Sequence, residues 1–376
     1  MAAGDHRPSA RIAIVGTGYV ADLYMPSLRS FPGLDLIGAF DVDAARLAAF
    51  ARHWSVPAAP DMAGLIAARP DILLNLTNPA SHAGVSRAAL QAGVHVWSEK
   101  PLALDLAEAE QLAALARERG LHLASAPCSV LGRAAQTAWA AIREGRIGTP
   151  RLTYAELDDG FLPAAPYRRW RSASGAGWPA ADEFATGCTL EHAGYYLGWL
   201  MAMFGPVRRV VSGSARLLDE GQTGRGHDAP DYASASLYFE AMVARLTCSI
   251  VASHDHGLRI FGDTGVLEVD EAWANGAPVR IRRRHSVRRR LFDSPIAHRV
   301  PAAGGGHPMV GRRGAASMNF ALGVAEMAIA IAERRAPRLA GDFALHLTEV
   351  ALAMQAGGEH HPRTAFAPMA PMEWPG

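Results

Sequence analysis

A short β-branched, apolar run at residues 11–15 (RIAIV) leads straight into Gly16-Thr17-Gly18-Tyr19-Val20-Ala21, and this junction constrains the fold more than any other feature of the chain. RIAIV has the composition of a buried parallel strand. The GxGxxA pattern that follows gives each small residue a task. Gly16 makes the tight turn, Gly18 lets the backbone approach a pyrophosphate, and Ala21 permits close helix–strand packing. Phosphates then sit on the free N–H groups of the helix that runs through Leu28. A second apolar run, residues 34–40, ends at Asp41. A carboxylate there accepts from both ribose hydroxyls and repels a 2′-phosphate, so the expected cofactor is NAD. Arg46 is close enough in sequence to accept a phosphate and leaves NADP open.

The junction opens a regular alternation. Helices are expected at 43–53, 62–68, 82–92 and 106–119, with strands at 72–76, 94–97 and 122–126 between them. Strand–helix alternation is the signature of a doubly wound parallel sheet. After residue 130 the pattern changes. A helix (134–144) and a strand (151–157) lead to a Pro/Gly/Trp-rich loop (161–183) and a helix (189–204). Strand-like segments at 208–216, 232–239, 242–250, 257–262, 265–269 and 279–284 follow in near succession, and helices at 318–333 and 342–356 close the chain. Strands with few crossovers imply a mostly antiparallel sheet covered by helices on one face. The fold class is therefore α/β. A Rossmann dinucleotide-binding domain spans residues 1–130, and an α/β domain with a large, mostly antiparallel open sheet spans 131–376. The Pro-rich tail, about 357–376, reads as loose.

Composition narrows the partners. The 376 residues carry a net charge of +1, which gives no global field to attract nucleic acid or an acidic membrane. The longest apolar stretch, 195–204, is too short to span a bilayer, and the N-terminus has no apolar signal region. Cys128, Cys188 and Cys248 are far apart with no CxxC pair, as in a reducing compartment, so the expected location is cytoplasmic, with neither disulfides nor a metal. Of 37 basic residues, Lys100 is the single lysine. Arginine keeps its proton in a protein whereas lysine can lose it, so a lone lysine is a candidate for proton chemistry. It lies in Glu99-Lys100-Pro101, directly after a buried strand, at the carboxyl edge where open α/β sheets bind ligands. A cis peptide at Pro101 would fix its direction.

These segments together resemble the Gfo/Idh/MocA (glucose–fructose oxidoreductase/inositol dehydrogenase) family. The resemblance rests on GTGYVA, Asp41, NLTNPASH (75–82), SEKPLAL (98–104), REGRIGTP (143–150), Trp170-Arg171, TGCTLEHAGYYLGWL (186–200) and GDFALHLTEVALA. It implies hydride transfer between a nicotinamide and a carbinol or keto carbon of a sugar, sugar derivative or cyclitol, with Lys100 at the reaction centre. It also implies that Thr77, Asn78, Pro79 and His82 form a cofactor-edge loop and that the open sheet makes a homodimer or homotetramer. Relatives that use bound NAD for redox-neutral elimination or glycoside cleavage, and a sugar-sensing regulator on the same fold, are the alternatives.

The chain departs from the family's D-x-G-x-H helix, for it carries Glu191, Ala193 and Tyr195 at those positions, and Gly198 replaces a later Asp. Glu191 and Tyr195, four residues apart, share one helix face. A phenol beside a lysine ammonium is a workable acid/base pair, because positive charge lowers a phenol's pKa. The expectation is that Tyr195 exchanges the proton, Lys100 polarises the carbon–oxygen bond and Glu191 orients. The alternative packs Tyr195 as core and uses His192 as base. Trp170 and Arg171 offer stacking and hydrogen bonding to a sugar. The run Arg280–Arg290 (RIRRRHSVRRR) reads as a solvated strand and hairpin rather than a nucleic-acid patch, with a site for an anionic or nucleotide-linked sugar as a further reading. His254-Asp255-His256 lacks a third ligand in sequence and reads as substrate-lining or structural. Cys128 reads as a small buried hydrophobe.

Overall fold

The computed structural model describes residues 9–223, 228–311 and 314–374. They form two compact units. The first holds residues 9–126 together with 168–179 and 320–345, and the second holds 127–167, 180–319 and the segment from 346 onward. The single boundary expected at residue 130 is thus joined by two returns of the chain to the first unit.

In the first unit β1 (Ala10–Val15), β2 (Leu34–Phe40), β3 (Ile72–Asn75), β4 (His95–Ser98) and β5 (Leu123–Ser125) form a parallel sheet in the order β2-β1-β3-β4-β5. The helices α1 (Tyr19–Leu28), α2 (Ala44–Trp54), α3 (Met62–Ala67), α4 (His82–Gln91) and α5 (Leu106–Glu118) are the crossovers. Three of these helices start on aspartate caps. Asp43, Asp61 and Asp105 each accept from a backbone N–H in the following turn, which satisfies donors a helix start otherwise leaves orphaned. Ile12, Ile14, Leu73 and Val96 are fully buried in the sheet. The order reverses between β1 and β3, and ligands bind at the carboxyl ends of the strands at such a switch point.

The second unit contains α6 (Arg133–Arg143), β6 (Pro150–Asp158), α7 (Ala180–Thr186), α8 (Cys188–His192), α9 (Gly194–Phe204), β7 (Arg209–Ala215) and α10 (Glu220–Thr223). The strands β8 (Tyr232–Tyr238), β9 (Val243–Ser249), β10 (Leu258–Gly262), β11 (Gly265–Val269), β12 (Val279–Val287), β13 (Arg290–Asp293) and β14 (His298–Arg299) follow. The chain then supplies α11 (Leu322–Ala332) to the first unit, where the absent side chain of Gly323 makes room for the ring of Trp97. Finally α12 (Asp342–Ala356) leads to β15 (Gly358–His360). The sheet runs β13-β12-β11-β10-β6-β9-β8-β7-β15, with β14 paired to β12, and among the described residues its one parallel strand pair is β6–β9. Alternation sorts its faces. Ala155, Leu157, Ala235, Leu237, Leu258 and Ile260 are buried on one face, while Arg259, Arg245 and the half-buried Tyr154 stack on the other.

Two expectations are corrected. The segment 189–204 is two helices, α8 and α9, meeting at Ala193. The tail is packed rather than loose through residue 374. β15 extends the sheet edge at β7, the Met372 N–H donates to Gln136 Oε1 (2.8 Å), and the Trp374 indole donates to the Leu131 carbonyl (2.8 Å). A segment without periodicity can still be anchored by one large aromatic with a polar handle, and Trp374 is that anchor.

Candidate active site

The expected cofactor residues of the first unit gather at the carboxyl ends of β1 to β4. Gly16 has φ +92°, and a Cβ there would lie 2.5 Å from the Leu76 carbonyl oxygen. Gly18 caps α1 without a side-chain bond, and nothing lies within 4 Å of where its Cβ would be. The result is an open backbone cradle facing the first-turn N–H groups of α1. Tyr19 and Val20 begin that helix half-buried, and Ala21 is fully buried. Burial, then the charge of Asp22, raises the Tyr19 phenol above its ordinary pKa.

Asp41 is locked by its neighbours. Its Oδ2 accepts from the Thr17 N–H (2.7 Å) and hydroxyl (3.0 Å), and its Oδ1 accepts from the Asp43 N–H (2.9 Å). Arg46 places Nε 3.3 Å from Asp41 and Nη2 3.6 Å from Asp43, so the guanidinium already faces two carboxylates. These residues fit a dinucleotide: a glycine cradle, a helix start and an oriented carboxylate at the end of β2.

After β3, Thr77 donates through its hydroxyl to Asn75 Oδ1 (2.7 Å), and Asn78 leads into the short turn Pro79–Ser81. His82 is buried with Nε2 3.0 Å from the Thr77 carbonyl and Nδ1 2.6 Å from the Pro101 carbonyl. It ties the cofactor-edge loop to the lysine loop. The lysine loop has a second brace: the Trp97 indole donates to the Tyr24 hydroxyl (2.8 Å), Tyr24 donates to Glu99 Oε1 (2.7 Å), and Glu99 Oε2 accepts the Lys100 N–H (3.0 Å). The Lys100–Pro101 peptide is cis. Tyr24, Trp97 and Asn75 were not among the expected site residues. Tyr24 and Trp97 are single positions inside a helix and a strand and carry no motif, and Asn75 opens the NLTNPASH segment without a role of its own.

Trp170 and Arg171 lie in the returning segment 168–179. Trp178 packs edge-on against Trp170 with centroids 5.4 Å apart, and Arg171 donates to the Arg168 (3.0 Å) and Trp170 (2.9 Å) carbonyls. Ser174 ties the segment to α1, donating its N–H (3.1 Å) and hydroxyl (2.7 Å) to Asp22 Oδ2. Arg171 is thus part of a folded strap held by the buried carboxylate of Asp22, a helix position with no motif around it.

In the second unit Glu191 is buried on α8, and Tyr195 on α9 is buried edge-on to Trp273 at 6.1 Å. His192 ends α8 with Nδ1 3.0 Å from the Cys188 carbonyl and Nε2 2.5 Å from Asp159 Oδ2. The other oxygen of Asp159 is 2.9 Å from His256 Nε2, and His256 Nδ1 is 2.9 Å from Glu271 Oε1. His256 therefore stands between two carboxylates. Burial works against its charge, but the hydrogen bonds to Asp159 and Glu271 outweigh this and raise its pKa to about 9. Burial likewise opposes a charged Asp159, yet the His192 charge and the bonds from both imidazoles hold it below the usual carboxylate range. Ligand atoms of Asp159, His254 and His256 lie within 4.8 Å of one another. They could converge on a cation only by giving up these bonds.

A pH dependence of stability follows. An imidazolium whose folded pKa is raised to about 9 stabilises fully below its unfolded value, near 6.5, and that contribution is lost as pH rises through about 9. Asp159 has the opposite sign and contributes above the unfolded carboxylate pKa, near 3.9. We expect the urea midpoint of the second unit to fall between about pH 7 and 10, and to fall less in His256→Gln. A midpoint flat over that range would mean that His256 is not held as a cation.

A family model described as "Oxidoreductase family, NAD-binding Rossmann fold" matches residues 10–126, and one described as "GFO/IDH/MocA C-terminal domain" matches residues 135–268. The UDP-N-acetylglucosamine 3-dehydrogenase of Acidithiobacillus ferrooxidans is 32% identical over 153 residues, 41% of this chain and 47% of that protein. The chain spans about half the length of the first curated relatives it matches. A crystal structure of the same Acidithiobacillus enzyme superposes with TM-score 0.69 at 22% identity, covering 93% of this chain and 98% of the other. The WlbA dehydrogenase of Bordetella pertussis, in complex with NADH and UDP-GlcNAcA, superposes with TM-score 0.67 at 17% identity over 94% and 98%.

Proposed function

The chain belongs to the Gfo/Idh/MocA family of oxidoreductases, and from that premise we propose that it is an NAD-dependent dehydrogenase or ketoreductase acting on a carbinol or keto carbon of a sugar, nucleotide sugar or cyclitol. The observation that carries this reading is the placement of the single lysine. Lys100 follows β4 at the ligand-binding edge of the sheet, on a loop whose backbone is held by Glu99, Tyr24, Trp97 and His82. Relatives named for dehydrogenation of UDP-N-acetylglucosamine and D-apiose support the substrate class.

Gly16, Thr17, Gly18 and the start of α1 would hold the pyrophosphate. Asp41 would accept from the adenosine ribose, and the two carboxylates around Arg46 favour NAD over NADP. When bound, the nicotinamide supplies the hydride acceptor or donor. The chain's own residues handle the proton and the polarity. Lys100 polarises the carbon–oxygen bond, Tyr195 exchanges the hydroxyl proton and Glu191 orients it. His192 supports this division, because both its nitrogens are engaged, by Cys188 and Asp159, leaving no lone pair for a substrate. A homodimer or homotetramer through the open sheet face completes the reading. Among the described residues no helix is long and apolar enough to cross a membrane, and three buried free cysteines suit a reducing cytoplasm.

The test is NAD⁺ reduction across polyols, free sugars and nucleotide sugars. On the best substrate, Tyr195→Phe should lower kcat about 10²–10³-fold and flatten its rise with pH, as loss of the general base in alcohol oxidation does. Turnover unchanged in Tyr195→Phe and abolished in His192→Gln would transfer the proton to His192.

A further inference from the structure

The arginine-rich run at 280–290 is β12 and its turn into β13, and the strand's alternation divides its charges into two populations. Arg280, Arg282 and Arg284 share one face, and each has a carboxylate partner: Asp270, Glu268 (2.9 Å) and Asp293 (2.8 Å). Ile281 and Arg283 point the other way. Among the described residues Arg283 has no ion-pair or hydrogen-bond partner for its guanidinium. Its cross-strand neighbour on β11 is Gly265, which places no side chain beside it. His298 on β14 pairs opposite Ile281. Arg146, from the turn after α6, completes an open surface pocket of about 340 Å³ lined by the exposed Arg146, Arg283 and His298 and the buried Ile281. Arg146 and His298 likewise have no side-chain partner among the described residues, and no carboxylate lines the cavity.

We propose that this cavity, formed by Arg146, Arg283 and His298, is a binding site for a phosphate dianion, either free or at the end of a phosphomonoester. Two guanidiniums stay charged at every physiological pH and present planar forks suited to phosphate oxygens. An imidazole N–H adds a third donor direction, matching three terminal oxygens where a carboxylate has two. Ile281 gives an apolar wall, and the volume exceeds a single phosphate's needs, leaving room for an attached carbon skeleton. Carboxylates pair Arg280, Arg282 and Arg284 on the other face of β12. No residue of this cavity belongs to the His192–Asp159–His256 cluster or to the dinucleotide cradle, so the site is independent of the oxidoreductase reading.

Isothermal titration of the full chain without nucleotide, at constant ionic strength, tests it. The probes are inorganic phosphate, ribose 5-phosphate and ribose. Saturable binding of ribose 5-phosphate but not ribose is expected, weakened about tenfold in each of Arg283→Gln and Arg146→Gln, the loss typical of one charge-assisted hydrogen bond. Arg280→Gln, on the opposite face, should bind as the wild type does. Ribose 5-phosphate at least about tenfold tighter than inorganic phosphate would assign the site to a phosphomonoester, and equal affinities would assign it to the free ion. No saturable binding of either phosphate, binding unaffected in both Arg283→Gln and Arg146→Gln, or an equal loss in Arg280→Gln would overturn the proposal.

Discussion

Lys100→Met should abolish turnover while leaving NAD bound. Methionine keeps the unbranched aliphatic stem and removes the ammonium, so the apolar contacts of the stem survive and the polarising charge does not. The loop itself should hold. Its fixed points are the Lys100 N–H on Glu99, the Tyr24–Trp97 relay and the His82 bridge to Pro101, and none of them uses the lysine side chain. Loss of one positioned acid/base or electrostatic group removes about 10²–10⁴ of rate, and with no second lysine in the chain to substitute, we expect the upper end. Calorimetric titration with NAD⁺ should give a Kd within a few-fold of wild type. A Lys100→Met protein that turns over substrate at more than about a tenth of the wild-type rate would remove the lysine from the reaction. Wild-type protein that binds NAD⁺ yet reduces it with no polyol, sugar or nucleotide sugar would move the reading to redox-neutral chemistry or to sensing.

Gly16→Ala should be the most damaging single methyl in the first unit. The added Cβ would lie 2.5 Å from the Leu76 carbonyl oxygen and 2.6 Å from both the Leu76 carbon and the Thr77 nitrogen. All three are backbone atoms at the end of β3, so no rotamer change relieves the contact. The φ of +92° adds a conformational cost for any L-side chain, about 1–2 kcal/mol by itself. Overpacking and strain together imply a loss of about 3–4 kcal/mol. The first thermal transition should fall by roughly 10 °C or more in a unit of this size. Gly18→Ala is the contrast. Its φ is −74° and its Cβ would meet nothing within 4 Å. Stability should stay within about 1 kcal/mol of wild type, while NAD affinity drops because the methyl enters the cradle. Equal melting temperatures for Gly16→Ala and wild type would mean that β1 and β3 are not as close as the structure has them.

Much of the first unit was legible because its signals are local. The RIAIV strand, the GTGYVA turn, Asp41 and the lysine after β4 are adjacent in sequence to the elements that position them. The parallel sheet follows from a regular strand–helix alternation, the pattern of α/β folds. The tail was misread for the opposite reason. Trp374 and Met372 are isolated apolar residues among prolines, and partners such as Leu131 and Gln136, more than 230 positions earlier, carry no signal that links them to the tail. The strap at 168–179 lies inside the Pro/Gly/Trp-rich loop 161–183, which carries no periodicity. Its assignment to the first unit depends on one buried carboxylate, Asp22, on a helix some 150 residues upstream. The histidine cluster was half visible. HxH at 254–256 showed two imidazoles, but the two carboxylates that make His256 a cation, Asp159 and Glu271, lie in other segments and carry no spacing signal.

The sequence by itself determined the fold class, the dinucleotide cradle and the singular lysine, because periodicity, glycine placement and residue choice act over a few neighbouring positions. Only the tertiary structure decided which charges are spent and which are free. It locks Arg46 against Asp41 and engages both nitrogens of His192. On β12 it pairs Arg280, Arg282 and Arg284 while leaving Arg283 facing a cavity. Ion pairing depends on distances of a few ångströms between residues distant in the chain, and a linear pattern does not encode those distances.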